Sequence, residues 1–184
     1  MRVLVGITGA SGAAFALDFL KRCPGEKYLV VSDWGKALLK DELDMSPRDL
    51  APYVEAIFSD GDLAAPFASG TNRYDAYVIV PCSASTLAKI SIGLGDTLLT
   101  RAAQVALKER MRLVLALRET PLSTNMLESA LRISREGGII APIMPALYNK
   151  PKTLEEMIAG YTSKLLHLVG AEGDPGWRQD RLES

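Results

Sequence analysis

Short apolar runs of strand length alternate along this chain with longer amphipathic runs, and the first junction between the two kinds is a glycine loop. Arg2 to Ile7 is too short for a buried helix and reads as a strand covered on both faces, the kind of run that parallel sheets use. Ser11 to Arg22 follows as a helix carrying Ala14, Phe15, Leu17, Phe19 and Leu20, so the chain opens as strand, loop, helix. The pattern then repeats. Tyr28 to Ser32 is a second strand and Asp33 to Leu43 a helix, after which Ser46-Pro47 reads as an N-cap with proline at the first helical position. Residues 58 to 73 show little periodicity and read as a long surface loop. Alternation resumes with a strand at Ala76 to Val80, a helix beginning near Ser83, a helix from Leu99 to Glu109 and a strand at Arg112 to Leu117. A helix over Thr124 to Glu136 contains Ser129, Ile139-Ile140 continues as a strand, and Thr153 to Val169 closes with an amphipathic helix.

Strands alternating with helices imply a mostly parallel sheet with helices on both faces: a three-layer, doubly wound α/β domain of the Rossmann-like (flavodoxin-like) kind. The chain has 184 residues, which fits one domain over residues 1–169, with Gly170 to Ser184 as a polar tail that orders only by docking. A formal net charge of -1 offers no global attraction to nucleic acid or to an anionic membrane. No apolar run approaches the ~18 residues of a membrane span, and Met1-Arg2-Val3-Leu4 enters the first strand directly, so a cytoplasmic protein without signal peptide is expected. Two cysteines, Cys23 and Cys82, have neither metal-ligand spacing nor a disulfide framework, and His167 is the one histidine. Chemistry must therefore fall to carboxylates, Arg, Lys, Ser, Tyr or a cofactor, and no metal site is expected.

Four segments can carry that chemistry. Gly9-Ala10-Ser11-Gly12 sits where a buried strand turns into a helix, so backbone can approach a ligand and the first helical N–H groups can meet a phosphate; a purely structural tight turn is the other reading. The spacing is not G-x-G-x-x-G, although Asp33 stands at a distance suited to a ribose contact. Pro81-Cys82-Ser83-Ala84-Ser85-Thr86 places hydroxyls at a strand's carboxyl end, as phosphate donors or, for Ser83, as an ordinary N-cap. Arg118-Glu119 ends another strand, where Arg can grip a phosphate bidentately and Glu can handle a proton, or the two can form a surface ion pair. Tyr148 follows a proline-framed strand end and Lys164 lies on the last helix, either of them site or ordinary rim, while His167 among leucines reads as packed or partly exposed rather than catalytic.

Taken in order, Gly9-Ala10-Ser11-Gly12, Pro81-Cys82-Ser83 with Thr86-Leu87, Leu98-Leu99-Thr100-Arg101-Ala102-Ala103, Leu107-Lys108-Glu109-Arg110, Arg118-Glu119-Thr120-Pro121-Leu122 and Pro145-Ala146-Leu147-Tyr148 with Pro151 make a nearly gapless series. On these residues the chain resembles the flavin prenyltransferases, the UbiX-type proteins of the homo-oligomeric flavin-containing Cys decarboxylase superfamily, formerly described as aromatic acid decarboxylases. The resemblance implies an enzyme that takes up reduced FMN and joins to its N5 and C6 a dimethylallyl group from dimethylallyl phosphate. Prenylated FMN then passes to a UbiD-type partner decarboxylase. It further implies flavin contacts at Gly9, Ala10, Ser11, Ser32, Ser83, Thr86 and Arg101, a prenyl-phosphate grip from Lys108, Arg118, Tyr148 and Lys164, and catalytic roles for Ser11, Glu42 and Glu119. A large closed homo-oligomer, commonly a dodecamer, is implied as well, with Arg101 and Lys164 serving a neighbouring chain's site.

This sequence departs from the family pattern at Ser123-Thr124-Asn125-Met126-Leu127, where a His-containing stretch is usual, at Asn149-Lys150, and at Lys164, where lysine keeps the charge of the usual arginine without its planar fork. Three alternatives stand beside the resemblance. An FMN-dependent decarboxylase of the peptidyl-cysteine type would need a histidine early in the chain. A nicotinamide-dependent dehydrogenase, suggested by Thr8-Gly9-Ala10-Ser11-Gly12, would need Tyr-x-x-x-Lys, whereas Tyr161 and Lys164 are three apart. A non-catalytic flavin carrier would need neither.

Overall fold

A computed structural model describes residues 1–175. The sheet is built from β1 (Arg2–Ile7), β2 (Glu26–Val31), β3 (Ala56–Ser59), β4 (Ala76–Cys82), β5 (Arg112–Leu117) and β6 (Ile139–Ile140), in the order β3-β2-β1-β4-β5-β6. Every pairing is parallel. The helices are α1 (Ala13–Arg22), α2 (Asp33–Leu43), α3 (Ala84–Ser91), α4 (Leu98–Lys108), α5 (Thr124–Arg135) and α6 (Leu154–Val169). Successive strand residues point to opposite faces, so the sheet feeds two cores. Val3, Val5, Val78, Val80 and Val114 pack under α1, α2 and α6, whereas Leu4, Tyr77, Ile79, Leu113 and Leu115 pack under α3, α4 and α5. This is the three-layer, doubly wound α/β architecture expected from the alternation.

Two boundaries differ from the sequence reading. Residues 58–73 are not all loop, because Ala56–Ser59 adds an edge strand to β2 and a 3₁₀ turn at Pro66–Ala68 buries Phe67. Only alternate residues of so short an edge strand face inward, which leaves no periodicity to read. Its Phe58 joins Tyr28, Phe67 and Tyr74 in a run of ring contacts with centroids 5.1–6.2 Å apart. The second difference is the start of α1, where the N-cap is Gly12, at φ 121°, a left-handed-side conformation that glycine alone adopts readily. Ser11 therefore stands outside the helix.

Because all strands are parallel, every strand-to-helix loop leaves from the same, carboxyl edge of the sheet. The opposite, amino edge gathers the ends of α4, α5 and α6 around a cleft of about 1240 Å³ that includes Arg73, Arg110 and Arg112. Arginines suit that position, since helix C-termini present unpaired carbonyls; Arg110 donates to the Glu136 carbonyl at 3.3 Å. Size does not make this cleft the functional site, for none of the segments singled out above opens into it except the end of α4. Beyond α6 the chain turns at Gly170 and docks, with Asp174 N–H on Ser163 Oγ at 2.7 Å and its carboxylate on Arg22 at 2.9 Å. The rest of the expected tail lies outside the described residues. Among the described residues no helix is long and apolar enough to cross a membrane.

Candidate functional site

The chain runs from β1 outward to β2 and β3 and then returns past β1 to β4, so the strand order reverses between β1 and β4. Such a reversal leaves a crevice at the carboxyl edge, where open α/β sheets bind ligands. The glycine loop forms one side of the crevice and the Ser83 turn the other. They are joined by a residue that the sequence offered only as the start of a dehydrogenase-like run: Thr8 is buried, its hydroxyl donates to the Pro81 carbonyl at 2.8 Å, and the same oxygen accepts the Ser83 N–H at 2.8 Å. Its place at the end of a buried apolar run, as a hydroxyl where a valine would serve, was the signal in the sequence for this bridging role.

The N–H groups at the start of α1, expected to face a phosphate, are already taken. Glu42, from α2, accepts Gly12 N–H with both carboxylate oxygens, at 3.1 and 2.9 Å, and Ala13 N–H at 2.8 Å. The loop is thus shaped by a carboxylate in the anion position, and a phosphate reaches those amides only by displacing it. Ser11, half-buried beside them, spends its hydroxyl on no other group among the described residues.

Ser32 caps α2 by accepting Gly35 N–H at 3.1 Å, and Ser83 caps α3 by accepting Thr86 N–H at 3.2 Å. The two hydroxyls of the second turn also meet, Ser83 Oγ to Thr86 Oγ1 at 3.0 Å. Capping and ligand binding coexist in such turns, because a capping oxygen accepts from the helix while its own proton stays available to re-aim. Asp33, considered for a ribose contact, is instead paired with Lys36 at 2.8 Å, which holds its carboxyl below the ordinary range. Beside it the indole of Trp34 is 76% exposed on the same edge, its Cβ pressed against Gly9.

At the end of β5, Arg118 N–H donates to the Cys82 carbonyl at 3.0 Å, tying this loop to the Ser83 turn. Arg118 and Glu119 are both exposed and form no ion pair with each other; Glu119 accepts its neighbour Thr120 N–H at 2.9 Å, and the Arg118 guanidinium has no carboxylate partner among the described residues. Tyr148 lies in the 3₁₀ turn Leu147–Asn149, in the loop that follows β6 on this edge, and Lys164 is exposed on α6. Tyr161 donates to the Ala141 carbonyl at 2.7 Å, so the tyrosine considered for a dehydrogenase serves to hold that loop.

The two α4 residues stand apart. Arg101 lies beyond the β3 end of the edge, donating to the Ala68 carbonyl at 3.4 Å and lining a small cleft with Leu63 and Gly95. Lys108, the last residue of α4, is at the amino edge and paired with Glu109. One chain therefore brings together Gly9 to Gly12, Ser32, Glu42, Ser83, Thr86, Arg118 and Glu119, but not Lys108. Burial pushes the Cys82 thiol up to about 12, which rules it out as a thiolate nucleophile near neutral pH. Exposed His167 sits in the last turn of α6, at the far edge, and leaves the crevice without an imidazole. No group of three His, Cys, Asp or Glu among the described residues is placed to hold a metal ion.

A family model described as Flavoprotein matches residues 1–159. The flavin prenyltransferase UbiX of Thermoplasma acidophilum is 43% identical over 175 residues, covering 95% of this chain and 97% of the relative. This chain belongs to the UbiX flavin prenyltransferase family. Among solved structures of similar proteins, AnUbiX (PadA1) in complex with FMN and dimethylallyl pyrophosphate is 39% identical, with a TM-score of 0.90 over 96% of this chain and 98% of that one. A dodecameric FMN-dependent UbiX-like decarboxylase from Escherichia coli O157:H7 is 40% identical, with a TM-score of 0.92 over 97% and 99%. The crevice suits the family's flavin on its own terms: a pair of capping hydroxyls lines a strand reversal together with a serine hydroxyl and a guanidinium that have no partner among the described residues.

Proposed function

We propose that this chain is a metal-independent flavin prenyltransferase. It binds reduced FMN across the β1/β4 crevice and joins a dimethylallyl group from dimethylallyl phosphate to N5 and C6 of the flavin, with release of phosphate. The observation that supports this most strongly is the exposed Arg118, without a carboxylate partner among the described residues, beside Glu119 on the edge that faces the crevice, in a chain that follows AnUbiX over 96% of its length. The reduced flavin supplies the electron-rich atoms that take the allyl group. Gly9, Ala10, Ser11, Ser32, Ser83 and Thr86 hold it against the edge.

Arg118 grips the donor phosphate and stabilises the dianion that grows as the allylic C–O bond breaks, while Tyr148 and Lys164 close around the same anion. Lysine at 164 contributes a point charge rather than a fork, so the planar, two-pronged part of the grip falls to Arg118. Glu119 carries the proton exchanged at the reacting edge, and Ser11 with Glu42 assists the ring closure. Holding both partners in one crevice makes their encounter a local step. Arg101, turned away from this crevice, and Lys164, exposed on α6, serve a neighbouring chain's site in a closed homo-oligomer, a dodecamer as in the Escherichia coli relative, while Lys108 stands at the amino edge, away from this chain's crevice. Residues 1–169 form the catalytic domain with Gly170 to Ser184 as its tail, the protein works in the cytoplasm, and prenylated FMN passes to a UbiD-type decarboxylase.

Anaerobic incubation with reduced FMN and dimethylallyl phosphate, followed by mass spectrometry of the flavin, tests this directly. A flavin heavier by one five-carbon unit is expected. An unchanged flavin that nonetheless binds tightly would identify a carrier instead, and a parallel incubation with dimethylallyl pyrophosphate separates a wrong donor from an inactive protein.

A further inference from the structure

The ladder between β1 and β4 ends at the pair Gly6 and Ile79, and Pro81 has no N–H with which to extend it. Past that point the two chains diverge into the glycine loop and the Ser83 turn, and what spans them is the side chain of Thr8. Its hydroxyl uses both of its capacities, giving its proton to the Pro81 carbonyl and receiving the Ser83 N–H, each at 2.8 Å. The Thr8 N–H reaches the same Pro81 carbonyl at 3.3 Å. The residue is only 1% exposed, so solvent cannot stand in for either bond.

We infer that Thr8 is a positioning residue for the flavin, fixing the separation between the loop Gly9 to Gly12 and the turn Ser83 to Thr86 at the width the ligand needs. This rests on the flavin reading of the crevice. The asymmetry of the bonds says which side depends on it. Without the hydroxyl, the Pro81 carbonyl keeps the Thr8 N–H, whereas the Ser83 N–H loses its partner and the turn swings outward to find another. Ser83 and Thr86 would then meet the ligand from the wrong distance, while Cys82, still in the β4 ladder opposite Leu117, keeps its carbonyl on the Arg118 N–H and so holds Arg118 and Glu119 at the end of β5 in place. The loss is therefore in flavin binding and not in the chemical step.

Thr8→Val keeps the branched shape and removes the hydroxyl; Thr8→Ser keeps the hydroxyl and removes the methyl group. The expected result is that Thr8→Val raises KM and Kd for FMN about tenfold, the scale of one lost hydrogen bond. Its kcat at saturating flavin should stay within about twofold and the visible spectrum of bound oxidised FMN should shift, while Thr8→Ser remains within about twofold of wild type throughout. Unchanged FMN affinity in Thr8→Val, or equal impairment in both variants, overturns the inference. Hydrogen exchange on the wild-type protein covers the case in which Thr8→Val does not fold: the Ser83 amide is expected to be protected before FMN is added, and an amide protected only afterwards refutes the bridge. Wild-type protein that binds no FMN refutes the flavin reading itself, and the positioning role with it.

Discussion

The contact between the glycine loop and α2 is close enough to make Gly9→Ala a sharp test. A Cβ built on Gly9 would lie 2.4 Å from Trp34 Cβ and 3.3 Å from its Cγ, where carbon atoms ordinarily rest at about 3.5–4.0 Å. One of the two segments must retreat by more than about 1 Å. Helix α2 resists, because Gly35 packs so tightly on the Ile7 carbonyl that a Cβ there would stand 2.5 Å away, and Ser32 N–H bonds the same carbonyl at 3.0 Å. The loop resists as well, held by Thr8 on one side and Glu42 on the other. A clash with no easy exit costs about 1–3 kcal/mol, the usual range for overpacking. Urea unfolding at fixed protein concentration would measure it, and a double-mutant cycle would assign it. The offending atom is Trp34 Cβ, so Gly9→Ala should cost as much in a Trp34→Ala background as in wild type. It should cost less in Trp34→Gly, by a coupling of about 1–3 kcal/mol. A cost below ~0.5 kcal/mol in wild type, or the same cost in all three backgrounds, would refute the reasoning.

Three further outcomes are expected. Glu42→Ala removes the acceptor of the Gly12 and Ala13 N–H groups and should lower unfolding stability by about 1 kcal/mol, as loss of a helix cap does, whereas an unchanged urea midpoint would mean water replaces the carboxylate. Arg118→Ala should slow prenyl transfer by roughly 10²–10³-fold and Glu119→Gln by at least ~10²-fold in single-turnover assays; wild-type rates in both remove the pair from the mechanism. Burial raises the Cys82 thiol to about 12 and the Cys23 thiol to about 11, above their unfolded values, so the neutral thiols contribute stability that is complete below about pH 8.5 and declines as pH rises. Urea midpoints should thus hold to pH 8 and fall by pH 10.5, less steeply in Cys82→Ala, and a slope unaltered by that substitution would count against the assignment.

Strand and helix succession was readable because residues buried on both faces leave continuous apolar runs, as in β1 and β4, and helices that cover a sheet leave a stripe. Ser83 as a cap was readable for a similarly local reason, since Thr86 stands one turn on. What escaped reading depends on distance along the chain. Glu42 seats itself on residues 29 and 30 positions away, and no periodicity connects α2 with the start of α1. Thr8 and Ser83 are 75 positions apart. β3 escaped because two inward side chains make no pattern, although the aromatics Phe58, Phe67 and Tyr74 that it helps to bury were in view. Arg101 and Lys108 were grouped with one site by motif, but seven residues of helix carry a side chain about 10 Å along the axis, and α4 runs from one edge of the sheet toward the other.

The seat of Glu42 bears on timing as much as on shape. With its own carboxylate lodged against the first amides of α1, the protein carries an internal placeholder that keeps the glycine loop organised. The same arrangement sets a threshold for movement. If Glu42 is to shuttle a proton, it must first surrender the Gly12 and Ala13 donors together, and an anion delivered to the crevice takes them over more strongly than water does. An incoming phosphate that takes over those amides would then act as the release of this acid-base group.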